Sequence, residues 1–271
     1  MTLVAKDKEK LLRHLIADYR SLAVAYSGGV DSTYLSAIAH EAVNRNAHIV
    51  LADSASIPRS ELNDAVSLAE QKGWNLSVIQ TEEFEDPAYL ANDANRCYLC
   101  KTELFEKMSA FARTHQIPVL AYGAIEDDKL DHRPGQRAAD EYRVVAPLQD
   151  AGLSKKEIRE LSEALGLPTA GKASFACLSS RFPTGSRISN EKVKQVEAVE
   201  ELLKRKGFYQ YRARHHGDIC RIELDPVDFQ KMMAVPVREE IVAHVKALGF
   251  RFVTLDLAGY HTGSTAARPV D

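Results

Sequence analysis

Residues 27–32, which read SGGVDS, constrain the fold of this chain more than any other stretch. The apolar run Leu22–Tyr26 before them predicts a buried strand, and the apolar face of residues 32–43 predicts a helix. Glycines at such a turn let backbone N–H groups approach an anion, and the helix N-terminus adds unsatisfied donors and partial positive charge. The sequence therefore predicts a phosphate loop in which Asp31 acts through Mg²⁺. Its other contacts are expected from Ser27, Gly28, Gly29 and Ser32.

The loop belongs to neither of two common nucleotide-binding patterns. No Gly-Lys-Ser/Thr follows it, so it is not a Walker A loop, and the GxGxxG of a dinucleotide site is absent.

Short apolar runs alternate with amphipathic stretches through the first 165 residues. Further strands are predicted at 47–52, 76–79 and 119–122, and helices at 60–72, 100–114 and 154–165. This alternation predicts an α/β fold with a doubly wound parallel sheet. Ligands of such sheets bind at the carboxyl ends of the strands. Asp53, Ser54 and Gly123, which follow two of these strands, are therefore candidate nucleotide contacts.

The pattern changes after a stretch rich in Gly, Ser, Pro and Thr. A helix at 190–206 and short strands at 210–214, 219–224 and 251–255 predict a second, smaller α+β domain with an antiparallel sheet. We expect one domain at 1–170 and the other at 188–271, joined by a functional loop at 171–187.

Composition excludes some classes of function. The net charge of −3 argues against a broad nucleic-acid-binding face. No apolar run approaches the ~20 residues of a membrane span. The N-terminal residues lack the apolar block and cleavage site of a signal peptide. We expect a cytoplasmic homo-oligomer without membrane contact.

Three of the four cysteines are placed for chemistry. Cys97 and Cys100 form a CxxC pair, and Cys177 lies in the long loop. Three thiolates suit a [4Fe–4S] cluster with one open iron, or zinc with a fourth ligand of another kind. They could also be unrelated small hydrophobic residues. Cys220 alternates with apolar residues along a predicted strand, which favours a core position.

The SGGxDS loop resembles that of the PP-loop ATP pyrophosphatases, which have a HUP-like fold and transfer AMP to a substrate oxygen. Within that superfamily the chain resembles the LarE-type ATP-dependent sacrificial sulfur transferases. The resemblance rests on SGGVDS, NRCYLCK at 95–101, DHRPG at 131–135, CLSSRFPTG at 177–185 and RARHHGDICRIEL at 212–224. It implies a pyridinium mononucleotide substrate whose two carboxylates are adenylated by ATP. Sulfur then displaces AMP, as a step in making the nickel-pincer nucleotide cofactor.

Two versions of the sulfur chemistry exist in this family. In one, a single loop cysteine gives up its sulfur. In the other, three cysteines hold a [4Fe–4S] cluster that carries sulfide from a donor. Cys97, Cys100 and Cys177 match the second version, whereas single-cysteine members carry their cysteine where this chain has Ala176. We therefore favour the cluster, with sacrifice of Cys177 sulfur as the alternative.

The resemblance also implies roles for residues outside the loop. Arg212 and Arg214 match arginines near the substrate, and Glu200 matches a site residue, although a solvated helix glutamate explains it equally. Ser180 and Arg181, beside Cys177, would hold the activated carboxylate. Magnesium ligands and a further phosphate contact are expected from Asp128, Asp131 and Arg133.

Two other functions fit the same residues. A PP-loop tRNA thiolase also uses a CxxC pair and a distant cysteine, but its RNA substrate predicts a basic surface. The other alternative is a non-catalytic protein that senses ATP or metal, which would use the loop to bind ATP but would not turn it over.

Overall fold

Four strands of the first half of the chain form one parallel sheet, as their alternation with helices predicts. In the computed structural model, residues 3–130, 134–173 and 176–261 are described. The strands are β1 (Leu22–Tyr26), β2 (Ala47–Asp53), β3 (Asn75–Gln80) and β4 (Val119–Ala121). Their order across the sheet is β3-β2-β1-β4, and all neighbours are parallel.

Helices connect these strands and continue into the second half of the chain. They are α1 (Leu3–Tyr19), α2 (Val30–Val43), α3 (Arg59–Gln71), α4 (Pro87–Leu90), α5 (Arg96–His115), α6 (Pro134–Glu141), α7 (Pro147–Asp150), α8 (Lys155–Ala164), α9 (Asn190–Arg205), α10 (Phe229–Met233) and α11 (Val235–Ala247).

Both faces of the sheet are covered, because successive side chains of a strand point to opposite sides. Leu22 and Val24 of β1 pack in a core with α1, α2, α3 and α8. Ala23, between them, packs in a separate core with Phe105 and Met108 of α5 and with α6. The doubly wound α/β prediction is confirmed. The parallel register, with Tyr26 level with Leu51, sets the carboxyl ends of β1 and β2 along one edge.

The smaller sheet contains β5 (Tyr211–His216), β6 (Ile219–Leu224) and β7 (Phe252–Leu255), in that order. β5 and β6 are antiparallel, as expected, but β6 and β7 are parallel, so the prediction of a purely antiparallel sheet is wrong. The reason is the connection, since α10 and α11 return the chain to the starting end of β6. Cys220 is buried in this core, as predicted, and burial raises the pKa of its thiol to about 12.

The chain forms two compact units, and each of them is built from two separate segments of the sequence. The first contains Met1–Glu83 and Cys97–Phe175, and the second contains Phe84–Arg96 and Ala176–Asp271. Asn92 ties the early segment into the second unit by donating to the carbonyls of Pro183 and Ser186 at 2.8 and 3.0 Å. The boundaries 1–170, 171–187 and 188–271 stay predictions. None of the described helices is both long enough and apolar enough to span a membrane.

Candidate functional site

The predicted phosphate loop has the backbone of an anion-binding turn. Gly28 has a φ of +70°, and a Cβ added there would lie 2.8 Å from the Cβ of Ala65, so the position requires glycine. Ser32 Oγ accepts from the Ser27 N–H at 3.1 Å and lies 3.0 Å from Ser27 Oγ. These contacts fold the loop back on itself, so that Gly29 caps the N-terminus of α2.

The end of β4 also reaches this loop. A Cβ added to Gly123 would lie 3.1 Å from the backbone N of Ser32, in the first turn of α2. The first N–H groups of a helix have no intrahelical partner and carry partial positive charge. The structure therefore brings Gly123 together with the loop, as the sequence predicts, although contact with a ligand stays a prediction.

Asp31, the predicted magnesium ligand, is held by a lysine that sequence reasoning missed. Lys155, the first residue of α8, donates to both carboxylate oxygens of Asp31, at 2.9 and 2.6 Å. Both side chains are partly exposed. The two residues are 124 positions apart, so no local motif links them. The one available signal was a lysine at a helix N-terminus, where the helix dipole disfavours a cation.

A second missed lysine contacts the loop. Lys172 donates to the carbonyl of Gly28 at 3.0 Å and pairs with Glu61 at 2.5 Å. Arg159 fixes the adjoining backbone by donating to the carbonyls of Ala170 and Lys172. Two ammonium groups thus lie beside a loop that lacks the lysine of a Walker A motif.

Asp53 and Ser54, at the end of β2, are engaged within the protein. Asp53 accepts from Arg59 and, at 3.0 Å, from Gln80. Burial raises the pKa of Asp53, but these hydrogen bonds outweigh it and the net effect is a lowered pKa. Ser54 is buried and contacts Ser56 at 2.8 Å. Their roles as nucleotide contacts stay predictions.

The other predicted metal and phosphate contacts of this unit are less defined. The carboxylate of Asp128 accepts from the N–H of Ile125 at 3.0 Å, which stabilises the local turn. Asp131 and Arg133 lie outside the described residues.

Cys97 and Cys100 lie near the start of α5, three residues apart, which places them on the same side of the helix. Cys97 is exposed and Cys100 is half-buried. This placement fits two thiolate ligands of one metal centre. Within the described parts of the chain, no three His, Cys, Asp or Glu side chains form a group that could hold a metal ion. The cluster therefore stays a prediction.

The second unit contains a buried ion pair between Arg181 and Glu200. The guanidinium donates to both carboxylate oxygens, at 2.7 and 3.0 Å, and Ala213 N–H also donates to the carboxylate at 3.0 Å. Burial lowers the pKa of Arg181, but pairing with Glu200 outweighs it and the pKa is raised. Glu200 is therefore not a solvated helix residue, and its place on the α9 face of Val196 and Leu203 is the sequence signal for this.

Arg181 also holds the backbone around Cys177. It donates to the carbonyls of Ala176 and Cys177, at 3.0 and 3.3 Å, and to Ser180 Oγ at 2.8 Å. Cys177 precedes a short 3₁₀ helix, Leu178–Arg181, and its carbonyl accepts from Ser180 N–H at 3.0 Å. Three predicted residues, Cys177, Ser180 and Arg181, are thus brought together.

Arg212 and Arg214 add positive charge to the same unit. Arg214 donates to the carbonyl of Ser180 at 3.0 Å and to Glu223 at 2.8 Å. Glu223 is fully buried and also accepts from Arg221 at 2.8 Å. Neither Glu223 nor Arg221 was predicted, although both lie on β6 directly across from the two arginines of β5.

The buried charged side chains around Arg181 include more cations than anions. Arg181, Arg212 and Arg214 face two buried carboxylates, those of Glu200 and Glu223, which leaves one positive charge in excess. Burial lowers the pKa of Arg212, and the charge of Arg181 lowers it further. A cationic, largely buried group of guanidinium forks suits a phosphate or carboxylate ligand.

Comparisons with known proteins identify relatives over nearly the whole chain. An uncharacterized protein of Synechocystis sp. is 38% identical over 95% of this chain and 96% of its own length. The pyridinium-3,5-bisthiocarboxylic acid mononucleotide synthase of Lactiplantibacillus plantarum is 32% identical over 97% of this chain and 95% of its own length.

More distant similarity extends to a nucleotide synthase. One subunit of the glutamine-hydrolyzing GMP synthase of Methanopyrus kandleri is 27% identical over 86% of this chain and 82% of its own length. No family model matches the chain.

Proposed function

The chain belongs to the family of the pyridinium-3,5-bisthiocarboxylic acid mononucleotide synthases, the LarE-type sulfur transferases, and we propose that it catalyses this ATP-dependent sulfur transfer. Its substrate would be a pyridinium mononucleotide with two carboxylates, which become thiocarboxylates for the nickel-pincer nucleotide cofactor. The observation that carries the proposal is the intact, glycine-dependent phosphate loop in a chain that matches such a synthase over 97% of its length.

The first step is adenylation of a substrate carboxylate. A carboxylate oxygen attacks the α-phosphate of ATP, which forms an acyl-adenylate and releases pyrophosphate. The loop N–H groups and the N-terminus of α2 stabilise the departing pyrophosphate, because they are fixed before its negative charge develops. Mg²⁺ bound at Asp31 would neutralise the phosphates. A single carboxylate fits this ion, which commonly takes few protein ligands and completes its shell with phosphates and water.

The second unit would bind the substrate anions. Arg212 and Arg214 supply forks for the phosphate or a carboxylate of the mononucleotide. Arg181 and Ser180 lie beside Cys177 and would orient the activated carboxylate. Glu200 would act on the substrate only indirectly, by positioning Arg181, because Arg181 occupies both of its carboxylate oxygens.

Sulfur delivery is the second step, in which sulfur attacks the acyl carbon and AMP leaves. We propose Cys97, Cys100 and Cys177 as the three ligands of a [4Fe–4S] cluster. Such a cluster would leave one iron open to bind the sulfide that is transferred. In the alternative route, Cys177 itself supplies the sulfur. A cytoplasmic location and a homo-oligomeric state also remain predictions.

An ATP assay with three possible substrates tests the proposed function. Formation of AMP and pyrophosphate is measured with the pyridinium dicarboxylate mononucleotide, with tRNA and without added substrate. We expect turnover only with the mononucleotide. Turnover with tRNA would identify a tRNA thiolase, and binding of ATP without turnover in all three reactions would identify a sensor.

A further inference from the structure

The ion pair between Asp31 and Lys155 carries one inference beyond the proposed function, on which it rests. We propose that Lys155 is a charge-exchange residue of the phosphate loop. It neutralises Asp31 in the nucleotide-free protein. When a divalent cation binds Asp31 together with ATP, the ammonium group moves to a phosphate oxygen.

The geometry pairs the ammonium group of Lys155 with a residue 124 positions away. Lys155 is the first residue of α8, where the positive end of the helix dipole disfavours a cation. Its ammonium group donates to both oxygens of Asp31. A lysine that is unfavourable for its own helix, and is aimed at the acidic residue of a phosphate loop, indicates a role at that loop.

The backbone of Lys155 is fixed, so the side chain alone can move. Its N–H donates to Asp127 at 2.8 Å, and Ser154 and Glu157 form a capping box around it. Glu157 is fixed in turn by Lys8 at 2.8 Å. The flexible side chain of Lys155 therefore extends from a rigid helix start and can change partner without backbone movement.

The strength of the pair permits exchange. Both side chains are partly exposed, 33% for Lys155 and 24% for Asp31. Pairs of this kind change a binding constant by only about 1.4- to fivefold, which a cation with two charges outweighs. A charge-assisted contact between the ammonium and a phosphate is stronger, about 10- to 150-fold in affinity. Exchange of partners is therefore favourable once ATP and the cation are both present.

Two binding measurements on Lys155→Met test the proposal, with Lys156→Met as the matched control. Lys156 is the next residue of the same helix turn, and it is exposed. The first measurement is binding of Mn²⁺ alone to the nucleotide-free protein, followed by electron paramagnetic resonance. Loss of the competing ammonium should tighten Mn²⁺ binding about 1.4- to fivefold. In an Asp31→Asn background the same substitution should have no effect.

The second measurement is binding of α,β-methylene-ATP at saturating Mg²⁺, followed by isothermal titration calorimetry. We expect Lys155→Met to weaken binding about tenfold and Lys156→Met to leave it unchanged. A lysine with a purely structural role would not move the two affinities in opposite directions. Unchanged affinity for Mn²⁺ or for the ATP analogue in Lys155→Met would overturn the proposal.

The two measurements also separate this inference from the proposed function. If the wild type binds the analogue but makes no AMP with the mononucleotide, while Lys155→Met shifts the two affinities in opposite directions, the proposed function fails and charge exchange at the loop is supported. If the wild type turns over normally and the two affinities are unaffected by Lys155→Met, charge exchange alone is refuted.

Discussion

Replacing Glu200 by alanine should destabilise the second unit strongly, although the residue belongs to a helix rich in charged side chains. The substitution removes the acceptor of two hydrogen bonds from Arg181 and of one from the N–H of Ala213. Arg181 is completely buried, so its charge would be left in the interior without its carboxylate partner. Breaking a buried pair from one side costs about 3–5 kcal/mol.

The neighbouring Glu201 provides the control. It is a partly exposed residue of the same helix and approaches Arg205 only at 4.0 Å, four residues away. Its replacement by alanine should change the free energy of unfolding by less than about 0.5 kcal/mol. Glu200→Gln keeps an oxygen for the Ala213 N–H but not the charge, and is expected between the two.

Urea unfolding followed by circular dichroism measures these differences. The wild type, Glu200→Ala, Glu200→Gln and Glu201→Ala would be compared at pH 7, with the unfolding of each variant fitted for its midpoint and slope. If Glu200→Ala and Glu201→Ala unfold at the same urea concentration, the buried pair is not what positions Arg181, and the reasoning on Glu200 is refuted.

Three further predictions concern the loop, the substrate and pH. Gly28→Ala should abolish ATP binding and cost at least about 1–2 kcal/mol of stability, because the φ of Gly28 is positive. Gly29→Ala should fold normally, because the φ of Gly29 is −80°. Equal ATP affinity of the two variants in calorimetry would contradict this prediction. Arg214→Ala should weaken binding of the mononucleotide about 10- to 150-fold while sparing ATP, and unchanged substrate affinity in calorimetry would remove it from the site. Burial raises the pKa of Glu157, but hydrogen bonds from Lys8 and Ser154 outweigh it and lower the pKa. Its stabilisation is therefore present above about pH 4.3 and is lost as pH falls through the lowered pKa. The stability gap between wild type and Glu157→Gln should shrink as urea midpoints are measured toward pH 3, and a gap that widens would exclude this origin.

The phosphate loop could be predicted because its information is local. A buried strand, two glycines and a helix start lie within a dozen residues, and each has its own sequence pattern. The predicted ends of the strands agree with the observed ends within one or two residues, because the strand patterns are local too. Glu200 remained undecided between two interpretations, although its spacing from Val196 and Leu203 already indicated the buried face of α9.

The rest of the site depends on contacts between distant residues. Lys155 and Lys172 reach the loop from 124 and 144 positions away, and no pattern at either end specifies such a contact. The inclusion of Phe84–Arg96 in the second unit is equally non-local, since Phe84 and Leu90 pack against the core of α9 and α11. The parallel pairing of β7 depends on where α11 returns the chain, which hydrophobic periodicity does not encode.

The mass of the polypeptide after reaction distinguishes the cluster route from the sacrificial route. Intact-mass spectrometry of the anaerobically reconstituted chain, after several turnovers with sulfide, should find the polypeptide mass unchanged. A loss of about 34 Da, one hydrogen sulfide, at Cys177 would identify the sacrificial route instead.

Mass spectrometry of the mononucleotide itself tests the central claim most directly. The reconstituted protein is incubated with ATP, Mg²⁺, sulfide and the pyridinium dicarboxylate mononucleotide, and the small molecules are analysed. Sulfur transfer predicts a product in which sulfur has replaced one oxygen in each carboxylate, with one AMP and one pyrophosphate formed for each replacement. An unmodified mononucleotide in a reaction that consumes ATP, or in one that forms no AMP, would contradict the proposed function.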